Sequence, residues 1–159
     1  MKRQIPVYLF VGFLEGGKTH MIQESMEDER FNSGEKTMII CCEEGIDEYD
    51  TSRFWGKNVY FENVENEEDI TLAKLEEISN KHIIDRIIVE YNGMWQLENL
   101  FMNMPENWDV YQCVMAADSR PLSFTMQICA HLCSISFLLA KWLCSTVQLM
   151  MQIERIFIK

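Results

Sequence analysis

The chain has 159 residues, room for one domain with a sizeable core. Its 25 acidic residues against 14 Lys and Arg give a net charge of −11, a balance that repels nucleic-acid backbones and anionic membrane and so excludes broad binding to either. The Met1-Lys2-Arg3 start leads into an apolar run too short for a secretory signal, and the six cysteines lack C-x-x-C spacing, so they read as thiols of a cytosolic protein.

Residues 5–11, Ile-Pro-Val-Tyr-Leu-Phe-Val, form an apolar, partly β-branched run of the kind found in buried parallel strands. Next comes Gly12-Phe13-Leu14-Glu15-Gly16-Gly17-Lys18-Thr19, a full match to G-x-x-x-x-G-K-[ST], the phosphate-cradling P-loop. The residue types suit that task. Gly12, Gly16 and Gly17 allow bends that turn successive N–H groups toward phosphate oxygens. A helix beginning near Lys18 adds the partial positive charge of its N-terminus. Lys18 is expected on the β- and γ-phosphates, and the Thr19 hydroxyl on Mg²⁺. Residues 19–28 read as that helix, with Met21, Ile22 and Met26 on one face.

Asn32-Ser33-Gly34 is a turn signal, after which residues 36–42 read as a second buried strand. This strand runs into an acidic loop, residues 43–50. Ligands in doubly wound folds sit beyond the carboxyl ends of the strands, so Glu43, Glu44 or Asp47 is a candidate for Mg²⁺, directly or through water, or else part of a solvated loop. Residues 58–61 are a short strand candidate. Either the acids of residues 66–69 open the next helix or Thr71 caps it, and Leu72, Leu75 and Ile78 carry its core stripe to about Lys81. His82, alone at the helix end, reads as structural. Residues 85–93, Asp-Arg-Ile-Ile-Val-Glu-Tyr-Asn-Gly, have the shape of a Walker-B strand that delivers one carboxylate, Glu90, to the metal edge beside the P-loop. Residues 94–104 predict a short helix with Trp95, Leu97 and Phe101 in the core, and residues 108–118 a further strand closing on Asp118. The fold class is α/β, a mostly parallel sheet with helices on both faces.

The strand at residues 5–7, the P-loop, Glu44-Gly45-Ile46-Asp47 and Glu90-Tyr91-Asn92-Gly93 together resemble the CobW/HypB/UreG nucleotide-binding domain over residues 5–118. CobW-type proteins carry Gly-Phe-Leu-x-x-Gly-Lys-Thr after an Ile-Pro-Val strand and Glu-x-x-Gly after the Walker-B strand. The resemblance implies a P-loop NTPase fold of the SIMIBI type and a Mg²⁺-dependent GTPase that binds GTP and GDP. Its relatives serve metal-centre or cobalamin assembly, so a client metalloprotein or cobalamin-related protein is the implied partner. Three departures stand out. His20 replaces a second threonine that would meet the α-phosphate, and Glu15 puts a carboxylate in the loop. The Gly-Cys-x-Cys-Cys metal motif is missing, and Cys41 and Cys42, adjacent on a strand, point to opposite faces. Outside this resemblance, an ATP-using kinase or ATPase and a non-enzymatic interaction domain are the rival readings.

Beyond Arg120 the only charged residues are Lys141, Glu154, Arg155 and Lys159, and Cys129, Cys133 and Cys144 all fall in this tail. The Asn-Lys-x-Asp segment that reads guanine in such GTPases is absent. Residues 128–140 are apolar, but His131 and Lys141 cut the run below the roughly 20 residues a membrane span requires. A partner-binding amphipathic helix also fits the composition. The favoured reading is a reading-frame slip near residue 118, which leaves the domain of residues 1–118 incomplete at its C-terminus and residues 119–159 as an aberrant tail.

Overall fold

Apolar runs with no polar alternation need cover on both faces, and the chain supplies it by alternating strands with helices. The structure, a computed structural model, describes residues 3–12, 16–42 and 49–116, all within the unit Met1–Ala117. In chain order these form β1 (Ile5–Gly12), α1 (Lys18–Glu27), β2 (Thr37–Cys41), β3 (Val59–Asn63), a 3-10 turn (Glu67–Asp69), α2 (Leu72–Lys81), β4 (Arg86–Glu90), α3 (Leu97–Asn103) and β5 (Trp108–Ala116). The strands make one sheet in the order β3-β2-β4-β1-β5. Every pairing is parallel, so the described domain is α/β with an all-parallel sheet. All five residues of the central strand β4 are buried, which is why Ile87, Ile88 and Val89 run apolar between the charged ends Arg86 and Glu90.

Strand side chains alternate between the two faces. Val7, Leu9, Met38, Ile40, Ile87 and Val89 join Leu75 and Ile78 of α2 and Leu100 of α3 in one cluster, with Trp95, Leu97 and Phe101 packed against it. The other set of strand residues includes Phe10, Ile39 and Ile88, and α1 is buried there through Ile22 and Met26. Arg86, on the same strand face as Ile88, donates Nη2 to Met26 Sδ at 3.9 Å, which ties α1 to that side. Right-handed crossovers account for the division. The connection from β1 to β2 runs outward, whereas β3 to β4 and β4 to β5 run back the other way. The direction of winding therefore reverses between β1 and β4, and the crevice at their carboxyl ends is where such sheets take ligands.

Local chemistry sets several boundaries. The acids of residues 66–69 do not begin α2; they form a separate 3-10 turn, and Thr71 is the cap, its side chain accepting from Lys74 N–H. The helix expected from Met94 starts only at Leu97, because Asn92 Oδ1 accepts Met94 N–H at 2.9 Å and holds the chain in a turn. His82 sits at the end of α2 with its ring stacked on Tyr60, centroids 4.0 Å apart. At the opposite edge from the crevice, buried Arg86 lies over the Phe31 ring at 4.1 Å and donates to Thr37 Oγ1 at 2.7 Å and to the Phe31 carbonyl. Burial lowers its pKa from the usual arginine value.

No described helix is long and apolar enough to cross a membrane. Asp118 and the tail of residues 119–159, to which the reading-frame slip was assigned, lie outside the described residues.

Candidate functional site

Gly12 ends β1 at φ 145°, and a Cβ placed there would lie 2.2 Å from the Ala116 carbonyl oxygen of β5. Glycine is therefore demanded at this position by the neighbouring strand as well as by the turn. Gly17 opens α1 in the left-handed region, φ 85°, with none of the described residues within 4 Å of where a Cβ would stand, and its carbonyl accepts the first helical bond from Met21 N–H at 3.0 Å. No acidic residue occupies the first turn of α1, so its N-terminal charge is not offset there by its own side chains. Lys18 folds back toward β1. Its Nζ donates to the Gly12 carbonyl at 2.9 Å, and the residue is only 2% exposed. The ammonium thus sits between the strand end and the helix start, at the mouth of the crevice.

β4 brings up the carboxylate. Phe10 of β1 is in register with Glu90, so the parallel pairing alone puts Glu90 beside the end of the strand that leads into the glycine loop. Glu90 is 3% exposed, and each of its oxygens accepts a hydroxyl: Thr19 Oγ1 donates to Oε1 at 2.5 Å and Tyr49 Oη to Oε2 at 2.6 Å. A threonine hydroxyl has one proton and two lone pairs, and with the proton committed to Glu90 the lone pairs stay open to a cation. Hydroxyl and carboxylate are hard oxygen donors of the kind Mg²⁺ takes, completed by water and phosphate oxygens. Among the described residues there is no cluster of three or more His, Cys, Asp and Glu able to hold a metal by themselves.

Two cysteines flank this region. Cys41 is in register with Glu90, and burial first and the Glu90 charge second push its thiol up to about 12. It stays protonated in ordinary buffers. Cys42 is buried in the cluster on the other face, as the strand pleat requires.

Of the residues singled out from sequence, Gly12, Lys18, Thr19 and Glu90 come together, and Gly16 and Gly17 lead into the same helix start. His20 does not join them: it is exposed, with Nε2 3.3 Å from Glu24 Oε1 one turn along α1. Phe13, Leu14, Glu15, Glu43, Glu44 and Asp47 lie outside the described residues. Tyr49 and Gln23 went unrecognised. Gln23 grips the Asp50 backbone with both ends of its amide, Nε2 to the carbonyl and Oε1 from the N–H, each at 3.1 Å. No spacing in the sequence links Tyr49 to Glu90, 41 residues away; only the aromatic residue at the end of a polar loop hints at it.

These features define an α/β domain with a glycine loop, a buried lysine and a hydroxyl–carboxylate pair at the switch point of its sheet. No protein-family model matches the chain, and neither a curated protein nor a solved structure does. The likeness to CobW/HypB/UreG domains accordingly rests on the motif residues alone.

Proposed function

We propose that this chain is a P-loop protein that binds GTP with Mg²⁺ in the loop between β1 and α1 and hydrolyses it slowly. The observation that carries the reading is the grouping of Lys18, Thr19 and Glu90 at the crevice between β1 and β4. In it, Lys18 exchanges the Gly12 carbonyl for β- and γ-phosphate oxygens, while backbone N–H groups of the loop and of the first turn of α1 meet the remaining oxygens. Thr19 and Glu90 would hold Mg²⁺, which when bound neutralises charge on the β- and γ-phosphates. Slow hydrolysis suits the state of Glu90. Both of its oxygens already accept hydrogen bonds from hydroxyls, so it is tied to positioning rather than set to draw a proton from water.

The guanine preference comes from the family resemblance, since the base-reading strand of such domains would follow residue 118. The same resemblance extends the proposal to service of a metalloprotein or cobalamin-related client, and to a cytosolic setting in which thiols stay reduced. Displacement of a fluorescent GTP analogue tests the nucleotide claim. GTP is expected to displace it at much lower concentration than ATP; equal displacement removes the guanine assignment.

A further inference from the structure

We infer that Tyr49 is a positioning residue for the cation pair, holding Glu90 Oε2 so that Oε1 remains on Thr19. The inference rests on the nucleotide-binding reading above and deepens it. A carboxylate at the end of a side chain with three torsions has several ways to turn, and a single bond to Thr19 would leave one oxygen of a 3%-exposed group without a donor. The Tyr49 hydroxyl at 2.6 Å and the Thr19 hydroxyl at 2.5 Å take one oxygen each and fix the plane of the carboxylate. The proton of Thr19 then has one destination, and its lone pairs one orientation.

Tyr49 is itself held from two directions. Its ring lies among Phe61 and Phe54, with centroids at 5.4 and 6.4 Å. On the other side, Gln23 clamps the backbone of the adjacent Asp50. Gln23 lies one helical turn beyond Thr19 on α1, so one rigid helix sets both hydroxyls that converge on Glu90. Two further contacts fasten the following residues to the end of the same helix: Arg53 Nη2 lies 2.7 Å from Glu27 Oε2, and Trp55 N–H donates to the Met26 carbonyl at 3.1 Å. Preorganisation of this kind lowers the cost of assembling the site when the cation arrives.

The experiment is titration calorimetry of the full chain with GTP, in EDTA and across a Mg²⁺ series, for the wild type, Tyr49→Phe and Gln23→Ala. Tyr49→Phe keeps the ring and removes only the donor. It is expected to raise the Mg²⁺ concentration needed for half of the metal effect about tenfold, the size of one hydrogen bond to a charged group, while leaving the affinity in EDTA unchanged. Gln23→Ala should shift the Mg²⁺ series in the same direction by loosening the clamp. If both variants show the wild-type Mg²⁺ dependence, or lose affinity equally with and without metal, the positioning role is wrong and the nucleotide reading stands. If the wild type itself takes no GTP in either condition, both fall together.

Discussion

Thr19 Oγ1 and Glu90 Oε1 lie 2.5 Å apart although 71 residues separate them in the chain. The contact exists because β1 and β4 are parallel neighbours, and because α1 starts beside the end of β1, where Lys18 Nζ meets the Gly12 carbonyl. Neither residue is chemically unusual. Their convergence with Lys18 at a sheet switch point is what the proposed binding of polyphosphate and a hard cation rests on.

Replacing Lys18 with Met keeps the buried aliphatic stem and removes the charge. Met retains the packing of the stem between β1 and α1, so the loss should fall chiefly on ligand binding. Triphosphate affinity is expected to drop on the order of 10- to 100-fold, with thermal stability close to wild type. Fluorescence titration and a thermal melt on the same sample check this. Unchanged affinity would mean that Lys18 does not touch phosphate.

Gly12 and Gly17 should respond very differently to alanine. At Gly12 a methyl group meets the Ala116 carbonyl at 2.2 Å in a backbone conformation unfavourable to side chains, so Gly12→Ala should cost about 2 to 5 kcal/mol. At Gly17 no described residue stands in the way of a methyl group, and the left-handed backbone is penalised by about 1 kcal/mol. Urea melts of the two variants give the comparison. Equal midpoints would show that β5 does not press on the end of β1 as described.

Acid sensitivity has an identifiable contributor at the far edge of the sheet. Asp85 Oδ2 accepts Lys36 N–H at 3.0 Å and Oδ1 pairs with Arg3 Nη2 at 2.9 Å; the backbone bond foremost, then the arginine, hold its carboxyl below the usual aspartate value. A carboxyl with a depressed folded-state pKa stabilises the fold above its unfolded value of about 3.9 and loses that contribution as pH falls toward the lower folded value. Asp85→Asn should therefore destabilise the domain at neutral pH and flatten the decline in melting temperature below about pH 4. A melt series from pH 3 to 7 reads it, and parallel curves for the two proteins would remove Asp85 from the account.

The strands of the sheet centre were legible because burial on both faces leaves a continuous apolar run, as in Ile87, Ile88 and Val89. The glycine loop and Glu90 were legible because a strict motif and a strand-end acid imply one edge. Other features depend on contacts that spacing does not encode. The strand order is one, and so is the pressure of Ala116 on Gly12, which made that glycine obligatory for a second reason. Tyr49 meets Glu90 from a position held by Gln23 at the neighbouring Asp50 and by Phe54 and Phe61 around its ring. The start of α3 moved because Asn92, ahead of the helix, offered the Met94 N–H another partner, whereas at α2 the side chain of Thr71 decided between the two starts that the sequence left open.

The most direct test is titration calorimetry of the purified chain with GTP at saturating Mg²⁺. The account predicts saturable binding near one nucleotide per chain that weakens when EDTA replaces Mg²⁺. Absence of heat with GTP and with ATP, together with no rise in melting temperature on adding either, would contradict it.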